Sequence, residues 1–206
     1  MARDNSPIVK QSRREGYALH PKAHKVLARK SSIPGQHGAS RQGKQSLYAQ
    51  QLREKQKVRR LYGLMEKQFS RLMNEATRMQ EGLAGENLLK LLELRIDNTV
   101  YRSGFAVSRR AARQLVGHGH FTLNGRRVDI PSIRLKAGDI LAVRPKSTKT
   151  EYFININDVL GNSVQGPLSW MKSDPKKLTI EITGQPKREE AEADINEQLI
   201  VEFYSR

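Results

Sequence analysis

The apolar positions change their period as the chain proceeds. Residues 1–45 have no sustained apolar period, with scattered Gly and Pro and ten Lys or Arg residues. Alone, such a segment buries too little surface to offset its ordering entropy, so it is expected to order on a partner. From Ser46 the pattern turns helical: Leu52, Val58, Leu61, Tyr62, Met65, Phe69, Leu72, Met73 and Ala76 recur at steps of three and four. One or two amphipathic helices are predicted there. After a break at EGLAGEN, Leu88, Leu89, Leu92, Ile96 and Val100 form another helical stripe, which Gly104 ends.

The stretch VSRRAARQLVGHGH offers Ser108 as an N-cap, a small Ala111-Ala112 face for close packing, Leu115 and Val116 as anchors, and Gly117 as a stop. Alternation then replaces the helical period. In VGHGHFTLNGRRVDI, Phe121 and Leu123 face inward with Val128 and Ile130 around a type I′ turn at Asn124-Gly125. Further strand signals follow in IRLKAGDILAVRPK, with its turn at Gly138-Asp139. The ending ADINEQLIVEFYSR reads both ways, since Leu199, Val201 and Phe203 alternate like a strand while Leu199, Ile200 and Phe203 fit a helix.

Charge narrows the function. The 206 residues carry a formal +16, with pI near 10.3 and only 6% aromatics, which implies a polyanionic partner and nucleic acid first. Residues 1–60 hold 15 basic against 3 acidic residues, 61–146 hold 15 against 8, and 147–206 hold 7 against 10. That gradient suggests a basic arm leading into a partly basic globule. There is no cysteine, which excludes disulfides and thiolate zinc sites. His20 and His24 have helical metal-ligand spacing but no obvious third ligand, so neither a metal nor a cofactor is expected. No apolar run approaches the roughly 18 residues of a membrane span. The start, MARDNSPIVKQSRREG, lacks the apolar segment of a secretory signal, and a cytosolic protein is expected.

Three basic constellations carry the candidate chemistry. In PGQHGASRQGK, Gly38, four residues and Gly43-Lys44 nearly spell a phosphate-binding P-loop, but Gln45 stands where a magnesium-binding Ser or Thr belongs and no apolar strand precedes. The segment reads better as glycine-rich backbone running close to RNA phosphates, with His37, Arg41 and Lys44 as contacts. REKQKVRR sets Arg53, Lys55, Lys57, Arg59 and Arg60 largely off the apolar stripe, so helical packing is expected to leave them pointing outward together, with two acids at most to balance them. Arg109, Arg110 and Arg113 are left over on the next polar face. With Arg126 and Arg127 at the hairpin turn they are expected to line one exposed edge as a forked basic clamp.

These residues also carry a resemblance. SRRAARQLVGHGHFTLNGRRVDIPSIRLKAGDILAVR, residues 108–144, resembles the RNA-binding module called the S-four domain. SRREG, PGQHG, QLREKQKVRRLYG, GENLLKLLELRIDNTVYRSGF and INEQLIVEFYSR extend the likeness over nearly the whole chain, to the bacterial-type S-four family of small-subunit ribosomal proteins. The resemblance implies an α+β fold: a basic arm over 1–45, a helical domain over 46–92 completed by 190–206, and an RNA-binding domain over 93–189 with its core at 95–146. The core module is two helices packed on a small, mostly antiparallel sheet, and the C-terminal piece is a helix.

The implied function is structural. A family member binds the 5′ domain of small-subunit ribosomal RNA early, nucleates assembly, contacts the neighbouring fifth protein, and lines the channel through which mRNA enters, contributing to translational accuracy on a cytoplasmic or organellar ribosome. The candidate RNA contacts are Arg13, Arg14, His37, Arg41, Lys44, Arg53, Lys55, Lys57, Arg59, Arg60, Arg109, Arg113, His118, His120, Asn124, Arg126 and Arg127. His118 and His120 flank a helix-to-strand corner, where a structural role competes with RNA contact.

Departures from the family pattern bear on the arm. Many relatives hold zinc there through cysteines, whereas Ser12 occupies one such position, which leaves RNA to order the arm. ASRQGKQSLYAQ also departs in spacing, with Leu47 in place of an acid, which weakens the assignment of mRNA contacts to Arg41 and Lys44. Two other readings share the module. Pseudouridine synthases and some aminoacyl-tRNA synthetases append it to a catalytic domain, but the 60 residues after Lys146 show no strand-rich run with a candidate catalytic Asp. A free-standing stress or quality-control RNA binder would need neither the basic arm nor the INEQLIVEFYSR ending. Binding is therefore the expected mechanism, with cations neutralising phosphates and helix geometry reading the shape of a folded RNA junction, and without catalytic residues.

Overall fold

The computed structural model describes residues 4–40, 43–156 and 168–205. Its contacts divide the chain into two units, Met1–Leu88 with Asp194–Arg206, and Leu89–Ala193.

The first unit opens where the apolar pattern showed no element. Helices α1 (Ile8–Glu15) and α2 (Pro21–Arg29) form there, and polar caps build them. The buried Ser12 hydroxyl donates to the Ile8 carbonyl at 2.9 Å and accepts from the Leu19 amide at 3.2 Å. Gly16, at φ 64°, closes α1 in the left-handed conformation that glycine adopts without strain. His20 caps α2 by accepting from the Lys22 amide at 3.1 Å, with Pro21 at the first helical position. Such caps leave no trace in a scan for apolar period.

The helical stripe after Ser46 resolves into α3 (Leu47–Leu61), capped by the Ser46 hydroxyl, and α4 (Glu66–Arg78). Val58, Leu61, Phe69, Leu72, Met73 and Ala76 are buried as the periodicity requires, while Met65 at the α4 N-cap is exposed.

The second stripe is interrupted. Helix α5 (Ala84–Glu93) and helix α6 (Ile96–Arg102) are separated at Leu94-Arg95, because the backbone there pairs with the 133–135 segment. The Ile96 amide donates to the Ile133 carbonyl and the Leu135 amide to the Leu94 carbonyl, each at 2.9 Å. Gly104 ends α6 at φ 83°. Helix α7 (Arg109–Gly117) starts on the Ser108 cap, 3.2 Å from the Ala111 amide. Gly117 is its last residue; the positive φ of 71° that redirects the chain belongs to Gly119.

Strands β1 (Phe121–Leu123) and β2 (Arg126–Val128) form the hairpin, with Asn124 at φ 49° and Gly125 at φ 81° supplying the positive pair a type I′ turn needs. Strand β3 (Ile140–Val143) pairs with β1, setting Phe121 opposite Val143. After helix α8 (Glu151–Ile154), β4 (Met171–Asp174) and β5 (Thr179–Ile182) complete an antiparallel sheet of order β2-β1-β3-β5-β4. The pattern after Lys146 did not announce this hairpin: Met171, Ile180 and Ile182 are buried on only four-residue strands, too short to stand out. One face of the sheet closes against α6 and α7 in a core that includes Val100, Phe105, Ala112, Val116, Phe121, Leu141, Trp170 and Ile180. Ile130, expected inside, lies past the end of β2 and is half exposed. The architecture is α+β.

In chain order the last helix is α9 (Glu197–Tyr204), which settles the ambiguous ending as helix and returns to the first unit. It packs on α3, with Ile200 fully buried, Gln51 donating to Glu202 at 2.9 Å and the Lys55 ammonium 4.5 Å from the Phe203 ring centroid. The Asn196 amide donates to Glu54 at 2.9 Å. Gly85 is required there: a Cβ on it would come within 2.7 Å of Glu197 Cγ.

Candidate nucleic-acid interface

The basic row of α3 is where structure and sequence pattern part most clearly. Lys55 is buried, its ammonium 2.7 Å from Glu66. Arg53 and Arg60 both pair with Glu15 of α1, Arg59 lies 3.5 Å from Glu66, and Lys57 lies 2.8 Å from Glu54 and donates to the Asp194 carbonyl. These residues do not point outward together. Of the carboxylates involved, only Glu54 stands within the row's own sequence; Glu15 and Glu66 come from other helices, which a local count of acids does not see. Burial raises the Glu66 carboxyl, and hydrogen bonds from Lys55 and Tyr204 outweigh it, so the group sits below its ordinary value. At Glu15 burial wins over Arg53 and Arg60, and the carboxyl is held above its ordinary value.

In the arm, Arg13 is tied down as well, donating through Nε and Nη2 to the Ser32 carbonyl at 3.0 and 2.8 Å. Arg14, His37 and Lys44 are exposed. Arg41 lies outside the described residues. Gly38 of the glycine-rich loop is there for packing, since a Cβ would fall 1.6 Å from the Ile33 carbonyl oxygen. The structure adds cations that the pattern missed. Lys22, Lys25 and Arg29 are exposed at helical spacing on α2, a helix without an acidic residue, followed by exposed Lys30. The signal lay in PKAHKVLAR, legible once His20 and Pro21 are recognised as a helix start.

The second unit also uses part of its expected clamp internally. Arg109 donates through Nε to Asn98 at 2.9 Å and through Nη2 to Glu192 at 2.8 Å, and its guanidinium sits 4.5 Å from the Tyr101 ring centroid. Asn98 donates to Glu93 at 2.7 Å, Arg102 grips Glu93 through Nε at 2.9 Å and Nη2 at 2.8 Å, and Arg102 Nη2 lies 3.6 Å from Glu192. The contacts close a ring. Arg113 reaches Asp97 at 3.4 Å, beside the fork that Arg95 makes on the same carboxylate. Arg109 and Arg113 thus face carboxylates rather than an exposed edge. Asn124 is engaged too, its Oδ1 accepting from the Ile140 amide at 2.9 Å and its Nδ2 donating to Asp139 at 2.8 Å.

What remains outward is a tighter cluster at the corner between α7 and β1. Arg126 and Arg127 are exposed, and among the described residues neither is ion-paired. The Arg127 guanidinium lies against Gly119, where a Cβ would come within 2.6 Å of Nε. Arg144, after β3, donates from its backbone amide to the His120 carbonyl at 2.8 Å and from Nη1 to the Gly119 carbonyl at 3.4 Å. His118 is exposed, and its ring centroid lies 6.0 Å from that of His120. His120 is half-buried, with Nδ1 3.0 Å from the Ser147 hydroxyl and its ring 5.8 Å from that of Phe153. Burial, then the nearby His118 and Arg144, hold the His120 imidazole below its ordinary value. The cluster offers hydrogen-bond donors to an anion.

Among the described residues, no group of His, Asp and Glu is arranged to hold a metal ion, and no helix is long and apolar enough to cross a membrane.

Comparison with known proteins places the whole chain. Residues 3–93 match the family described as Ribosomal protein S4/S9 N-terminal domain, and residues 94–141 match the S4 domain family. The chain is 50% identical over 209 residues to the small ribosomal subunit protein uS4 of Chloroflexus aurantiacus, covering 100% of both. It is 50% identical over 212 residues to that of Herpetosiphon aurantiacus and 49% over 207 residues to that of Chlorobium phaeobacteroides, again covering 100% of each.

Proposed function

The chain belongs to the uS4 family of ribosomal proteins, and from that premise we propose that it is a non-enzymatic, ribosomal-RNA-binding constituent of the small ribosomal subunit. The observation that carries the reading beyond family membership is the corner where Arg126, Arg127 and Arg144 present positive charge without a paired carboxylate, beside the exposed His118. Cations left unpaired on a +16 chain favour phosphates, whose neutralisation releases counterions.

In finer detail, the RNA is the 5′ domain of small-subunit ribosomal RNA, and early binding there nucleates assembly in the cytoplasm. Contact is made by Arg14, His37, Arg41, Lys44, His118, His120, Arg126 and Arg127. The paired residues Arg13, Arg53, Lys55, Lys57, Arg59, Arg60, Arg109, Arg113 and Asn124 hold the frame that presents them. A neighbouring small-subunit protein, the fifth, and mRNA are further partners.

A salt titration tests the reading. Affinity for the isolated 5′ domain is measured with tRNA and duplex DNA as competitors. If roughly 6–10 phosphates are neutralised, affinity falls about 10³- to 10⁵-fold between about 50 and 200 mM salt. A preference for the ribosomal fragment that survives high salt supports shape recognition, and equal affinity for all three nucleic acids overturns it.

A further inference from the structure

We propose that the Gly119 corner is a proton-coupled phosphate site, in which His118 and His120 take up protons as a phosphate group enters between them and the guanidinium groups of Arg127 and Arg144. The inference deepens the RNA-binding reading and rests on it.

The geometry starts from Gly119. Its left-handed φ of 71° lets the chain leave α7 and enter β1 within three residues, so His118 and His120 flank one bare Cα. Because there is no Cβ, Arg127 of β2 settles directly on that Cα; the position a Cβ would take is 2.6 Å from Nε and 2.8 Å from Nη2. Arg144 binds the Gly119 carbonyl through Nη1 at 3.4 Å. Two guanidinium groups and two imidazoles therefore gather around one residue, from α7, β1, β2 and the end of β3.

The charges that act on the His120 imidazole come from His118 and Arg144. His118 stands at the end of α7, Arg127 on β2 across Gly119 and Arg144 after β3; Ser147, ahead of α8, and Phe153 of α8 are neutral, and the α8 acid Glu151 is exposed at the start of that helix. None of the charges acting on the His120 imidazole is a carboxylate, and burial with His118 and Arg144 keeps its proton off. The His120 imidazole accordingly gives up its proton more readily than an ordinary histidine. A phosphate supplies the missing negative charge. Its arrival reverses the balance, each imidazole gains affinity for a proton, and each protonated ring becomes a donor to the bound oxygens. With Nδ1 of His120 beside Ser147, Nε2 is the nitrogen left for that role.

The coupling predicts that binding tightens as pH falls. The full chain is titrated with the 5′ domain RNA at constant ionic strength between about pH 8 and pH 6, and H118Q and the H118Q/H120Q pair are compared with the unsubstituted protein. One proton taken up per complex tightens binding up to about tenfold per pH unit between the free and bound pKa values. The expected result is a steeper gain on acidification for the unsubstituted protein than for either variant, with H118Q guarding against a fold defect because His118 is exposed. Equal slopes in all three overturn the proposal, even where binding to the ribosomal fragment stays tight and selective. Loss of selectivity over tRNA at every pH would instead overturn the RNA reading, while the slopes still report the coupling.

The imidazole resonances give a second readout by NMR. A rise in both histidine pKa values with inorganic phosphate shows that the corner suffices for a free anion. A rise with RNA alone assigns the phosphate to the nucleic-acid backbone, and no rise with either sinks the proposal.

Discussion

Arg109 meets Glu192 at 2.8 Å across 83 residues of sequence, and the pair closes a ring that runs through Arg102, Glu93 and Asn98. The ring is mostly shielded from water, with the Glu93 side chain only 1% exposed. Removing one member strands the others. R109A is expected to cost about 1–3 kcal/mol, because Asn98 and Glu192 lose a donor that water only partly replaces. Chemical denaturation measures this. Affinity of the folded fraction for RNA should be nearly unchanged; weaker binding at unaltered stability would make Arg109 a contact rather than a brace.

Arg126 behaves in the opposite way. Exposed and without an ion pair among the described residues, it has little to lose on truncation, so R126A should leave stability within about 0.5 kcal/mol. Its effect appears in binding. Affinity should fall alike for all RNA sequences, and the slope of log affinity against log salt should shrink by about 1.

On α2, replacing Lys22, Lys25 and Arg29 together with Ala tests cations found only from the folded structure. Ala favours helix, so α2 should keep its far-ultraviolet circular dichroism. The salt slope should shrink by up to about 3 if all three meet phosphates, and an unchanged slope would mean that this face meets solvent.

Gly119→Ala combines two faults. Its φ of 71° disfavours any side chain, and the new methyl would collide with the Arg127 guanidinium at 2.6 Å. About 1–2 kcal/mol of stability should be lost to the backbone alone. RNA affinity of the folded protein should fall with it as Arg127 is displaced, and calorimetry alongside binding separates the two effects.

Free of ligand, the same corner should make the protein sensitive to acid. His120 has its pKa lowered by burial first, and by His118 and Arg144 after it. Around that range the unfolded chain binds more protons than the folded one, so the contribution of His120 to stability is present above the unfolded value near 6.5 and is lost as pH falls through the folded value. Melting curves between about pH 7.5 and pH 5 should therefore be flatter for H120Q than for the unsubstituted protein. The opposite ranking would mean that an acidic partner holds the imidazole.

Where side-chain chemistry acts locally, these features were legible in the sequence. Ser108 could be read as a cap from its place before an apolar run, and Asn124-Gly125 as a type I′ turn from the demand for two positive φ values. The switch from helix to hairpin followed from the change of period between Leu115 and Phe121, and the α+β fold as a whole from the resemblance. What stayed hidden depends on partners remote in sequence. Lys55 looked like a surface cation until Glu66 and Phe203 enclosed it, and nothing near Arg53 or Arg60 announced Glu15. The helix break at Leu94-Arg95 likewise arises from pairing with residues 133–135. Short elements were the other blind spot. Polar caps rather than apolar repeats define α1 and α2, and four-residue strands such as β4 offer too few positions for an alternation to register.

The docking of α9 on α3 has a consequence for biosynthesis. Because the chain is made from its N-terminus, α3 leaves the exit tunnel well before Ile200 and Phe203 exist to cover it. The first unit therefore lacks α9 until Glu197–Tyr204 are made, whereas the sheet and its two helices, all within Leu89–Ala193, have every strand they need earlier. The order of synthesis thus lets the inserted unit close while α3 still lacks its α9 cover, a window in which the bare face of α3 is exposed to a chaperone or to RNA.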